Sequence, residues 1–236
     1  MRQSVCLVIL RLPHYLYAIV GGPDPILNSR LGVAIANAKK GALPKTSIES
    51  AIAKGQGKSV SGAPLESLTI EAMLPFFVAA IIECQTDQKA RVLQDIRFLI
   101  KDHGGIITPT GYLFEKKGRI IFERKKGIGP DDILEKAIEI GAMDVALDEE
   151  GKISVDTGPS KVSDIAMKLA ESFGLRVEKS SIIYDPKPDT VVSLKDQEAH
   201  ELETVLKLIE EDPSVQEVYV NVVLTDGTRS FRTERP

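Results

Sequence analysis

Tryptophan is absent from this chain, and aromatic residues make up only 5% of its 236 residues. A protein that grips nucleic acid through many stacked bases needs more rings than that, which argues against a broad base-stacking surface. Cysteine is equally scarce. Cys6 and Cys84 are far apart, form no CxxC pair, and share no ligand spacing with His14, His103 or His200. Two ordinary thiols in a reducing compartment explain them better than a metal centre. Long apolar runs are missing too, since residues 5–10 are followed by Arg11 and Pro13-His14, and this stretch is too short to span a bilayer. What remains is an ordinary globular composition, 43% hydrophobic and 27% charged. The length suits one or two domains, with three small ones also feasible.

Acid is scarce in one place only. Residues 1–60 hold eight Lys or Arg against Asp24 and Glu49, a surplus of six. Residues 61–236 hold 22 basic and 32 acidic side chains, a deficit of ten. A basic front on an acidic body points to a polyanionic partner for the front, although ordinary variation between short segments gives a similar imbalance. The first 20 residues, MRQSVCLVILRLPHYLYAIV, carry Arg2 and Arg11 and no acid. They read as a mitochondrial targeting segment or as an amphipathic helix packed on the next ones.

The punctuation predicts the organisation. Gly21-Gly22-Pro23 is a break, Asp24 caps a helix with Pro25 at its first position, and Gly41 closes it as a left-handed cap. Thr46 with Glu49 forms a capping box for a second helix that Gly55 ends. Residues 56–64, rich in Gly, Ser and Lys, read as a flexible linker. Strands follow over 65–74 and 76–83, then an amphipathic helix capped by Asp87. A strand over 119–124, a helix over 131–140, a hairpin over 143–156 turning at 149–151, a helix capped by Ser160 and a strand over 175–184 make the order β-α-β-β-α-β. That is the split-βαβ, ferredoxin-like pattern. A helix over 196–211 and an alternating strand from Val218 complete the chain. The expected fold class is α+β: an N-terminal helical domain, then a discontinuous α+β domain with an inserted ferredoxin-like domain. The boundaries are 1–60, 65–118 plus 190–236, and 119–189 for the insert.

Candidate chemistry is thin. Gly57-Lys58-Ser59 imitates the end of a phosphate-binding loop, but the required first glycine falls on Ile52, inside a helix. No helix follows to supply a positive N-terminus, so nucleotide hydrolysis is set aside. HExxH, GxSxG and CxxC are all absent, and Cys84 has no histidine near it in sequence to act as a base. His103 suits a helix C-terminus, where a cation compensates the dipole. The pairs Asp131-Asp132, Glu149-Glu150 and Glu210-Glu211 lack the spacing of a metal loop. No catalytic residue, metal or cofactor is expected. The best remaining signal is basic: Arg30, Lys39, Lys40, Lys45, Lys54 and Lys58 lie on two short helices and their loops. Lys39, Lys40 and Lys54 have a structural role in last turns, where a cation is worth about 0.3–1 kcal/mol to the helix. Lys45 and Lys58 lack that role. Such residues suit contact with a phosphate backbone, which positions without reading sequence.

Several blocks resemble one family. GGPDPILNSRLGVAIANAKKGALPKTSIESAIAKGQG, IIECQTDQKARVLQDIRFLIKDHGG, GYLFEKKGRIIFE, the GAMDV turn and the VQEVYVNV ending all fit YebC-like proteins, in order, over about residues 21–223. That family comprises bacterial transcriptional regulators and the mitochondrial translational activator of cytochrome c oxidase subunit I. The resemblance implies three domains, no enzyme activity and no cofactor. It implies binding to the ribosome, to mRNA or rRNA, or to DNA, and a mitochondrial location or, alternatively, a bacterial cytoplasm. The acidic body would instead dock basic ribosomal proteins if the chain works as a scaffold. Two departures stand out. Members usually begin with a basic stretch of the type GHSKWxxIKHKK, which residues 1–20 lack; a misassigned start is a further reading of that segment. Members also tend to carry Gly-Pro-Gly-Gly where this chain reads Leu74-Pro75-Phe76-Phe77. The two aromatics either alter that turn or bury as ordinary strand residues, the reading favoured here.

Overall fold

The computed structural model describes residues 24, 26–59, 62–125, 127–148, 151–224 and 230–232. The expected Gly21-Gly22-Pro23 break, Pro25, the Glu149-Glu150 part of the turn and every reading of residues 1–20 lie outside them. The described chain begins with two short helices, α1 (Ser29–Lys40) and α2 (Lys45–Gly55). Their apolar stripes meet in a small core of Ala38, Leu43 and Ile48, with Ile35 and Ile52 packed against it.

Alternation then gives way to burial on both faces. In β1 (Glu66–Leu74) Ile70, Ala72 and Leu74 are buried, whereas β2 (Val78–Thr86) is buried along most of its length. Residues alternate between the two faces of a strand, so a strand with both sets buried must lie inside a sheet covered on both sides. β2 does so. It pairs antiparallel with β1, Leu74 opposite Val78, and antiparallel with β9 (Val215–Leu224), Ala80 opposite Val220. β3 (Ile106–Ile107) extends the β1 edge and β10 (Ser230–Arg232) the β9 edge. β8 (Val192–Leu194) runs parallel to the end of β9, which completes a six-stranded sheet. The helices α3 (Lys89–Asp102) and α6 (Asp196–Glu211) bury Val92, Ile96, Ile100, Leu202, Val205, Leu206 and Ile209 in a single core with Ile70, Ala80, Ile82 and Val218.

The chain between β3 and β8 builds a second sheet. Its elements run β4 (Phe114–Phe122), α4 (Pro130–Glu139), β5 (Ala142–Leu147), β6 (Ile153–Thr157), α5 (Val162–Phe173) and β7 (Val177–Pro186). The strand order is β5-β6-β4-β7 with every pairing antiparallel, the ferredoxin-like arrangement. Ile120, Phe122, Val155, Ile133, Ile165 and Leu169 form its core, separate from that of the larger sheet. The fold class is therefore α+β, with helices in front of a discontinuous sheet that carries a ferredoxin-like insertion.

The insertion enters and leaves at one point. Lys187 N–H and the Thr190 hydroxyl both donate to the Leu113 carbonyl, each at 3.0 Å. Beyond that point the two sheets touch through a small apolar joint. Ala79, Ile81 and Phe114 are buried there beneath Met73, Leu113, Tyr184 and Tyr219. The two tyrosine rings meet edge to face at 5.3 Å, and the Tyr219 hydroxyl donates to the Ile182 carbonyl at 3.3 Å. Glu83 borders this joint, and burial raises its carboxyl above the usual value. Lys116 opposes that shift and Glu217 adds to it.

Local signals are redistributed in several places. The cap of α1 is Asn28, whose Oδ1 accepts from Leu31 N–H at 3.2 Å, while Asp24 closes a preceding turn on Ile26 N–H. Gly41 has φ −75°, and Ala42 takes the left-handed position at φ 57° instead. Glu49 faces Lys45 at 3.5 Å rather than completing a capping box with Thr46, because α2 starts at Lys45 behind Pro44. α3 starts at Lys89, two residues past Asp87, and a 3-10 turn over Pro159–Lys161 precedes α5 where Ser160 had been expected to cap it. β4 begins at Phe114, five residues before the expected strand. Phe76 and Phe77 are not strand residues. They form the β1–β2 turn with φ of 63° and 59°, Phe76 resting on the core and Phe77 85% exposed.

Candidate nucleic-acid interface

The sequence-predicted cations fall on the ends of α1 and α2. Lys39 and Lys40 occupy the last turn of α1 and are exposed, and Lys45 opens α2 after a connection of four residues. The chain thus gathers three cations at one end of the helix pair. Lys54 and Lys58 lie at the far end of α2, about 14 Å along the axis from Lys45 at 1.5 Å per residue. Arg30 lies in the first turn of α1. The structure therefore brings the predicted residues to two poles of one helical unit.

Their surroundings differ. Lys39, Lys40 and Lys58 form no ion pair with a described residue. Lys45 pairs with Glu49 at 3.5 Å with both side chains largely exposed, an interaction worth about 1 kcal/mol at most. Lys54 is committed elsewhere: its Nζ donates to the Pro213 carbonyl at 2.8 Å and so ties the end of α2 to the residues after α6.

Gly57-Lys58-Ser59 proves to be the termination of α2. Gly57 has φ 70°, and Lys58 N–H returns to the Ala53 carbonyl at 3.0 Å. That is a left-handed helix ending, which glycine tolerates best. The following residues close on themselves rather than swinging as an open hinge. Ser59 N–H donates to Ala63 at 2.8 Å, and Leu65 N–H donates to Gly57 at 2.8 Å. With its N–H spent on the helix ending, Lys58 stands as a solvent-facing cation.

The sequence count at residue 60 passed over a second group of cations. α3 carries Lys89, Arg91, Arg97 and Lys101 against Asp95 and Asp102, inside a body that is acidic overall. Counting charge by helix instead of by chain segment would have found it. Among the described residues no group of His, Cys, Asp and Glu is arranged to hold a metal ion, and no helix is long and apolar enough to cross a membrane.

The comparisons divide the chain where its architecture does. A family model described as the TACO1/YebC protein N-terminal domain matches residues 15–58, and one described as the TACO1/YebC second and third domain matches residues 65–222. The chain belongs to the TACO1/YebC family. Relatives agree with that membership. A "Probable transcriptional regulatory protein" of Persephonella marina is 37% identical over 205 residues, covering 85% of this chain and 80% of that protein. One of the same name from Aquifex aeolicus is 37% identical over 206 residues, covering 86% and 80%. A crystal structure of a conserved hypothetical protein from Aquifex aeolicus superposes with a TM-score of 0.60 at 31% identity, covering 94% of this chain and 90% of that one. By name the two sequence relatives are probable transcriptional regulators, which puts the family among regulators of gene expression.

Proposed function

We propose that this chain is a non-enzymatic regulator of gene expression that binds RNA or the ribosome through its helical front and activates translation in mitochondria. The observation that carries the reading is the exposure of Lys39, Lys40 and Lys58 at the two ends of the helix pair, with no carboxylate among the described residues to neutralise them. Cations presented this way release counterions when they meet a phosphate backbone, so binding must weaken steeply with salt. They position a polyanion without reading its sequence. In this reading the chain works as three units, 1–60, 65–118 with 190–236, and 119–189, and the separate cores of the two sheets support that division. The acidic body offers a docking surface for basic ribosomal proteins once the front is engaged.

The test is cosedimentation with ribosomes across a salt series. The wild-type chain is expected to pellet at low salt and to be released as salt rises. A variant with Lys39, Lys40, Lys45 and Lys58 changed to Glu is expected in the supernatant throughout. Pelleting of that variant at low salt to the wild-type extent would remove the front from the interface. A DNA-binding transcriptional regulator is the second reading, favoured by the names of the bacterial relatives. A promoter footprint without ribosome association would establish it in place of the first. Crosslinking in the native organelle followed by sequencing of bound nucleic acid separates message, ribosomal RNA and DNA in one measurement.

A further inference from the structure

The polyanion surface need not stop where the charge count changes sign. Three observations place α3 beside the front. Leu65 N–H is bonded to Gly57 at 2.8 Å, so the end of α2 leads directly into β1. Glu66, the first residue of β1, pairs with Lys89 at the start of α3 at 2.6 Å. Gln85 N–H bonds the Ser214 carbonyl at 2.8 Å, next to the Pro213 carbonyl that holds Lys54. The end of α2, the start of α3 and the end of α6 therefore share one end of the large sheet.

From there α3 runs away from the front with a basic outer face. Lys89 and Arg91 meet carboxylates, Glu66 at 2.6 Å and Asp95 at 3.5 Å. Arg97 and Lys101, four residues apart and hence neighbours on the helix surface, meet none among the described residues. Asp102 at the helix end is the remaining carboxylate on α3. Beside Lys101, one turn back, stands Phe98 with 73% of its surface exposed, although Val92, Ile96 and Ile100 on the opposite side of the same helix are buried. The fold gains nothing from a ring in water there. A cationic groove with an exposed ring is the arrangement by which proteins hold single-stranded nucleic acid: charge tracks the backbone and the ring stacks on a base.

We propose that α3 continues the nucleic-acid track of the helical front, with Arg97 and Lys101 on the phosphates and Phe98 stacked on an unpaired base of RNA. This rests on the RNA-binding reading of the front. A single ring is compatible with the low aromatic content, which speaks only against a broad stacking surface. Duplex DNA, whose bases are already stacked on one another, would engage the cations and leave Phe98 idle.

The experiment is fluorescence anisotropy of the full-length chain with a labelled oligouridine of about twenty nucleotides and with a DNA duplex of similar length, at about 50 and 200 mM salt. Phe98→Ala is expected to weaken RNA binding on the order of tenfold and duplex binding little, and Phe98→Tyr to retain RNA affinity. Arg97→Glu with Lys101→Glu is expected to weaken both probes and flatten the salt dependence. Phe77→Ala, an exposed ring in the β1–β2 turn and not on α3, is the control and leaves both unchanged. All these side chains are exposed, and far-UV circular dichroism verifies that each variant folds. Wild-type RNA binding that Phe98→Ala leaves intact would end the track at the front while the proposed function stands. Equal losses on RNA and duplex, or an equal loss with Phe77→Ala, would also overturn the stacking role. A wild-type chain that binds no RNA would overturn both proposals together.

Discussion

Phe76 and Phe77 stand at φ angles of 63° and 59° in the β1–β2 turn, a region that costs a residue bearing Cβ about 1–2 kcal/mol. The turn persists because Leu74 and Val78 on either side are paired and buried, and Phe76 rests on the core. Phe77 has no such compensation, being 85% exposed. At an ordinary strand position alanine is more stable than glycine. Here the order is expected to reverse, Phe77→Gly exceeding Phe77→Ala by about 1 kcal/mol in thermal or denaturant unfolding. The reverse ranking would show that the backbone relaxes once the ring is removed. Sequence inspection located this turn but misjudged its conformation. Phe has strong strand propensity, and the fact that Leu74 must face Val78 is a matter of register that residues 76 and 77 do not encode. The same limit applies to Ala42, which takes the left-handed position beside a glycine that sequence inspection had assigned to it.

At the scale of elements, helix existence was legible and helix starts were not. The apolar stripes of α3 and α6 repeat every three or four residues and fix those helices. Caps compete, however, and the winner depends on where the chain enters. Asp24 spends its carboxylate on Ile26 N–H, and Asn28 caps α1. Asn28→Ala is expected to cost about 1 kcal/mol, read as a lower unfolding midpoint of the helical front. Asp24→Ala should cost less, since its turn lies before the helix. Of the candidate interface, the cations on α1 and α2 were legible as a charge imbalance over residues 1–60. The engagement of Lys54 with Pro213 was not, because it links residues 159 apart in the chain. Neither was the place of α3, whose cations disappear into the acidic total of residues 61–236 until pairing brings Glu66 to Lys89.

At the scale of the whole molecule, the ferredoxin-like order was readable because its six elements are consecutive, whereas the large sheet takes β9 from far along the chain. The joint between the two sheets gives stability a pH dependence. Burial beside Tyr219 raises the Glu83 carboxyl above its ordinary 4.5, with Glu217 adding and Lys116 opposing. The folded state therefore holds that proton more tightly than the unfolded chain. The resulting stabilisation is complete below the ordinary value and is lost as pH rises through the raised one. Glu83→Gln, which cannot ionise, is expected to raise the unfolding temperature relative to wild type at neutral pH and to give no advantage below about pH 4. An equal advantage at both pH values would trace the effect to packing instead. The pairing of β2 with β9 also sets a timetable for synthesis. Ala80 waits for Val220, 140 residues later, which at 5–20 residues per second is about 7–28 s. Throughout that interval the nascent β2 presents an apolar edge with no neighbour, while the insertion has all its strands once residue 186 is made. β9, which emerges late, is thus the strand that shields β2 from misassociation, and a ribosome halted before residue 215 would release an aggregation-prone intermediate.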